Sequence, residues 1–250
     1  MSLEYEMSHR QKRGVRMSEK KVAVITGAGT GLGAALVKRF AALDYQVCLL
    51  GRRESALREV VAKYQLEAAS IYAVDVSKRS DVVSVISHIL DEFGRVDVLV
   101  NNAGVGYFAR AELVTDEQID QMIDINLKGT IYCTQEVLPT MRERDVGTIL
   151  NVISTAGLTG KATEAVYCAS KFGVRGFTES LLVELAETNV RVLGAYMGGM
   201  KTDFWDGIYE RESIQQLMDP EDVADILMAN ITTRTNLNVD QVVIKNRIVG

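Results

Sequence analysis

The stretch VAVITGAGTGLGAAL, residues 22–36, decides how the rest of the chain is read. Val22, Ala23, Val24, Ile25 and Thr26 form an apolar run too short for a helix and stopped by glycine, the pattern of a buried strand. Gly27, Gly31 and Gly33 follow, with Thr30 and Leu32 between them, and Ala34 to Val37 resume a helical pattern. Strand, glycine turn and helix in this order open a nucleotide-binding βαβ unit. The glycines let the backbone turn tightly and approach a pyrophosphate, and the free N–H groups of the helix start favour its charge. The spacing is G-x-x-x-G-x-G, not G-x-G-x-x-G. On these glycines alone, a plain strand-to-helix turn without a ligand stays open.

Downstream, apolar runs alternate with amphipathic stretches. Strands are expected over residues 46–50, 71–74, 96–100, 148–153, 190–196 and 239–244, and helices over 54–65, 80–93, 164–187 and 220–229, with 116–141 mostly helical. Strands separated by helices of this length imply βαβ crossovers and a parallel sheet. Continuous apolar strands such as VAVI and DVLV suit a sheet buried on both faces. The expected fold is therefore α/β: one Rossmann-like, doubly wound parallel sheet of seven strands, helices on both faces, over residues 21–250. Ligands in such sheets sit beyond the carboxyl ends of the strands.

Composition narrows the function. The 250 residues are 47% hydrophobic and carry a formal net charge of −5, which gives the body of the protein no case for nucleic acid or an anionic membrane. No apolar run reaches the ~18 residues of a spanning helix. Cys48, Cys133 and Cys168 show no metal spacing and fit reduced thiols, hence a cytoplasmic setting; His9 and His88 are too few for a histidine-based metal site or triad. Residues 1–20 are basic, lack periodicity and include a second possible start at Met17. They read as a disordered leader outside the fold, with a nucleic-acid-binding arm as the sharper alternative.

Several polar features fall at strand ends. Gly51-Arg52-Arg53 follows the second strand, where a carboxylate would hold a ribose 2′-hydroxyl and arginine would attract a 2′-phosphate. Nothing acidic occupies these positions, which favours NADP(H) over NAD(H), although Glu54 stands one step later. Asp75-Val76 follows the third strand as a candidate for the adenine edge, or Asp75 as a helix cap. Asn101-Asn102-Ala103-Gly104 follows the fourth strand, with small residues that let a cofactor pass close to the sheet. The fifth strand runs into Ser154, and Tyr167 and Lys171 follow at i and i+4 on one helix face. A cation near a phenol lowers its pKa, so this tyrosine can exchange a proton with a carbonyl oxygen while the serine polarises it.

With those residues in view, the chain resembles the short-chain dehydrogenase/reductase family over residues 20–245. The matching pieces are TGAGTGLG, Asp75-Val76, NNAG, the Asn126-containing INLKG, NVISTAG, YCASK and MGGMKTDF. The resemblance implies Tyr167 as catalytic acid/base, Ser154 as the group orienting the carbonyl, and Lys171 as the ribose-binding residue that lowers the tyrosine pKa. It implies that Asn126 holds a water in the proton relay. Asn102, Ala103 and Gly104 would line the cofactor, and Thr202 would meet its nicotinamide end. It also implies a homotetramer or dimer. Met197 departs from the family by standing where proline is usual, which removes a φ restraint and is expected to loosen the adjoining loop.

The expected activity is NADP(H)-dependent hydride transfer involving a small carbonyl or alcohol substrate. A nucleotide sensor or scaffold without turnover, and an NAD-dependent alcohol dehydrogenase, are the alternatives. Tyr107, Phe108, Leu158, Phe204, Trp205, Ile208, Tyr209 and Met218 are expected to wall the substrate. Arg110, Lys161, Lys201 and Arg211 are the cations that could receive a carboxylate or carrier phosphate.

Overall fold

The computed structural model describes residues 19–247 apart from 233 and 235. Residues 1–18 of the basic leader lie outside the described residues. Seven strands form one sheet in the order β3-β2-β1-β4-β5-β6-β7: β1 Val22–Thr26, β2 Gln46–Gly51, β3 Ala69–Ala73, β4 Val98–Asn101, β5 Gly147–Val152, β6 Val190–Met197 and β7 Gln241–Ile244. Every pairing is parallel. The chain leaves β1 for β2 on one side and returns to β4 on the other, so the switch point lies between β1 and β4. A doubly wound sheet opens its crevice there.

Alternation along β1 shows why the sheet is covered on both faces. Ala23 and Ile25 pack with α1 (Gly31–Ala42), α2 (Glu54–Tyr64) and α7 (Pro220–Ile231). Val22 and Val24 point the other way, into the layer of α3 (Arg79–Phe93), α5 (Gly129–Glu143) and α6 (Ala165–Glu184). Successive side chains of a strand face opposite ways, so an uninterrupted apolar run feeds two cores at once.

Several boundaries differ from the sequence expectation. The stretch 116–141 is three pieces: α4 Asp116–Gln121, a π-helical segment Met122–Lys128, then α5. Thr115 and Gln118 close a capping box at the start of α4. Gly129 is required at the start of α5 because a Cβ there would stand 2.9 Å from Val76 Cγ2. Helix α2 stops one residue early because Gln65 turns left-handed. Strand β7 begins at Gln241, not at residue 239.

Candidate active site

At the carboxyl end of β1 the glycine turn abuts the end of β4. Gly27 and Gly31 hold positive φ angles of 62° and 52°, which glycine adopts without steric cost. A Cβ on Gly33 would stand 2.2 Å from the carbonyl oxygen of Gly27, so the helix can start this close to the strand only with glycine there. Asn102 locks the two turns together: its Nδ2 donates to the carbonyls of Thr26 (3.0 Å) and Gly27 (3.1 Å). Thr26 Oγ1 accepts from the N–H groups of Asn102 and Ala103. Helix α1 starts after Thr30, whose side chain makes no cap, and its first turn holds no acidic residue. Its first N–H groups are therefore free to take an anion.

These turns floor a crevice of about 530 Å³. Gly27, Thr30, Gly31, Leu32, Arg52, Arg53, Asn102, Ala103, Gly104, Ser154, Tyr167, Lys171 and Thr202 all line it. Arg52 and Arg53 are exposed at the end of β2. Glu54, which argued against a 2′-phosphate, is turned to Arg58 in an i,i+4 ion pair and does not line the crevice. Thr202 leans on the glycine turn, its Cγ2 2.9 Å from where a Gly31 Cβ would be.

Four of the expected site residues do not line the crevice. Gly33 is under the turn. Val76 is buried against Gly129. Asp75 Oδ1 accepts from the N–H (3.1 Å) and hydroxyl (2.7 Å) of Ser77; it does not cap α3, whose N-cap is Lys78. Asn126, 1% exposed, grips the turn after β4. Its Oδ1 accepts from Val105 N (2.8 Å), and its Nδ2 donates to Val105 O (2.9 Å) and Ser170 Oγ (3.0 Å). Its carbonyl accepts from Thr130 Oγ1.

Ser154, Tyr167 and Lys171 come together at the crevice wall. Ser154 Oγ accepts from Ala156 N, which orders the turn after β5. Lys171 Nζ donates to the carbonyl of Val152 at 3.1 Å and lies 5.8 Å from the centre of the Tyr167 ring. The expected direction of the tyrosine pKa is not met. Burial pushes the phenol above its ordinary range, and the Ser154 hydroxyl is the group that counters it. Burial also presses the Lys171 ammonium down to about 8. Desolvation disfavours the charged form of each group and is the largest cause of both shifts.

A family model described as short chain dehydrogenase matches residues 21–213. The chain belongs to the short-chain dehydrogenase/reductase family. An uncharacterized oxidoreductase of Staphylococcus epidermidis is 32% identical over 227 residues, 91% of this chain and 97% of the relative. Among solved structures, the closed form of a serine dehydrogenase complexed with NADP+ is similar at TM-score 0.83 and 31% identity, covering 89% of this chain and 93% of that one. A 3-ketoacyl-(acyl-carrier-protein) reductase from Brucella melitensis complexed with NADH is similar at TM-score 0.83 and 31% identity, covering 90% and 97%.

In this dehydrogenase/reductase the expected substrate wall is partly rearranged. Tyr107, Phe108, Phe204, Trp205 and Ile208 line the crevice. Leu158 packs instead on the buried group of Ile153, Val174 and Tyr196, and Met218 on the large core. Tyr209 is exposed and rests on Trp205. Of the candidate cations, Arg110 pairs with Glu112, Lys201 with Asp219 and Arg211 with Asp206. Lys161 lines the crevice beside Glu164 at 3.9 Å. Met197 is the buried last rung of β6, in register with Ile244, rather than the start of a loosened loop. Gly198 N donates to Ile244 O and Asn246 Nδ2 to Gly199 O, so the next two residues are tied as well. Sequence reasoning missed Glu164 and Asn246, whose parts depend on contacts that no local motif announces. Among the described residues, no helix is long and apolar enough to cross a membrane.

Proposed function

We propose that the chain is an NADP(H)-dependent oxidoreductase that interconverts a small carbonyl compound and its alcohol. The observation that carries this reading is that one crevice is lined by the glycine turn, by Arg52 and Arg53, and by Ser154, Tyr167 and Lys171. The residues present fit a dinucleotide. The uncapped start of α1 suits its pyrophosphate, Arg52 and Arg53 suit a 2′-phosphate, and Lys171 and Thr202 suit the nicotinamide end. When bound, the nicotinamide supplies or accepts the hydride.

The chain's own groups handle the proton. Tyr167 is held protonated by burial, which suits it to donate to a carbonyl oxygen in the reducing direction and to recover the proton in reverse. Ser154 Oγ polarises the same oxygen. Asn126 acts from behind by fixing the Gly104–Val105 turn. The complete Ser-Tyr-Lys set disfavours a sensor or scaffold without turnover. Half-exposed Phe172 on α6 supports assembly as a dimer or tetramer through that helix.

The test is NADPH oxidation with a panel of ketones and aldehydes. Turnover by the wild type, lost in Tyr167→Phe with NADPH binding retained, supports the assignment. Equal rates in the two proteins would sink it. A larger thermal shift with NAD than with NADP would reverse the cofactor preference.

A further inference from the structure

The substrate half of the crevice is lined by three aromatic rings in mutual contact, two of which meet the Tyr167 ring. Phe108 meets the Tyr167 ring edge to face, centroids 5.4 Å apart at 89°. Phe204 lies 6.1 Å from Tyr167 and 6.3 Å from Phe108. Trp205 lies 5.7 Å from Phe108 and 5.0 Å from Phe204, and its Nε1 donates to Met200 O at 2.8 Å, which fixes the indole. Gly106 permits the arrangement. A Cβ there would stand 2.8 Å from the ring tips of both Phe108 and Phe204.

Phe108, Phe204 and Trp205 are each only partly buried and each lines the crevice. Their remaining ring surface is what a substrate would cover. Cations do little at this end, where Asp203, Asp206 and Glu164 also line the crevice. Arg52 and Arg53 belong to the cofactor end, Lys171 is tied to Val152, and Lys161 faces Glu164, whose carboxyl burial pushes up.

We infer that Phe108, braced by Phe204 and Trp205, is the specificity-determining residue, and that the preferred substrates are neutral aryl ketones or aldehydes. This rests on the oxidoreductase reading above. A flat ring fits among tilted aromatic rings and gains edge-to-face contacts that a puckered ring of equal size does not. A carboxylate in the same place would be desolvated opposite Glu164 without an unpaired cation to receive it.

The experiment compares phenyl methyl ketone, cyclohexyl methyl ketone and a 3-keto acid with NADPH. The wild type should show a kcat/KM ratio of phenyl to cyclohexyl substrate of about tenfold, carried mainly in KM, with the keto acid poorest. Phe108→Leu and Trp205→Leu should each collapse that ratio toward one, with NADPH binding confirming that each variant is folded. Two variants keep the test open should one fail to fold. A wild-type ratio near one, a ratio unchanged in the folded variants, or preference for the keto acid overturns the inference and leaves the oxidoreductase reading standing. Absence of turnover with every carbonyl compound removes that reading, and the inference with it.

Discussion

Lys171 Nζ donates to the carbonyl of Val152, tying α6 to the last residue of β5 across 3.1 Å. The bond fixes where the lysine ends and holds its Nζ over the Tyr167 ring, 5.8 Å from the centroid. Both side chains are almost fully buried, 4% and 7% exposed. Burial therefore sets the protonation of each, keeping the phenol neutral and making the amine readily deprotonated.

A pH dependence follows from the lysine. Its pKa is pressed down to about 8, so the ammonium persists below that pH and is lost as pH rises through it. kcat/KM for carbonyl reduction, which reports the free enzyme, should be level on the acid side and fall on the alkaline side with an apparent pKa of about 8. Lys171→Arg keeps a charge at all these pH values and should remove that limb, whatever its absolute rate. A limb that persists in the arginine variant assigns the titration to another group.

Asn126 is expected to matter through position. Asn126→Ala leaves the half-buried N–H and carbonyl of Val105 without their partner, and a backbone group so stranded costs up to about 3 kcal/mol. Urea unfolding should show a lower midpoint with an unchanged slope, and NADPH affinity should fall because the Gly104–Val105 turn is freed. Unaltered stability together with unaltered affinity would show that the turn holds without it.

Much of this was legible because the fold is written in short periods. The β-branched run at 22–26, the glycines after it and the i,i+4 pair Tyr167 and Lys171 each express local geometry. What was not legible depends on distant partners. Leu158 and Met218 turn into cores formed by residues remote in the chain. Nothing near Asn126 announces Val105, twenty-one positions away. The direction of the phenol pKa is not legible either, because a motif shows which charges are near but not how much water is excluded. The π segment has no sequence signal that we can identify.

Arg52 and Arg53 should decide the cofactor. Both are exposed at the crevice, and neither has a side-chain ion pair among the described residues. Arg52→Ala with Arg53→Ala should weaken NADP(H) binding by about tenfold or more, the worth of one charge-assisted hydrogen bond, with NAD(H) binding nearly unchanged. Added salt should narrow the difference. Equal weakening of both cofactors would mean that the arginines touch something common to the two.

The far end of the sheet carries a charge cluster that acts on stability alone. Asp97 is 7% exposed just before β4. Burial pushes its carboxyl up, but Arg95 (2.6 and 2.7 Å), Arg144 (2.8 Å) and the N–H of Val22 (2.8 Å) outweigh that and hold it below the usual range. A carboxyl with a depressed folded-state pKa contributes stability above its unfolded value of 3.8, and loses it as pH falls through the folded value. Asp97→Asn, which leaves two arginines facing a neutral amide, should cost about 3–5 kcal/mol at neutral pH. The gap from wild type should shrink in acid, as the wild-type carboxyl is protonated. Unfolding midpoints in urea at neutral and acidic pH measure both quantities. Because Asp97 sits at the opposite strand ends from the glycine turn, NADPH affinity of the folded variant should be unaffected. A gap constant with pH would show that the aspartate's packing, not its charge, is what Arg95 and Arg144 require.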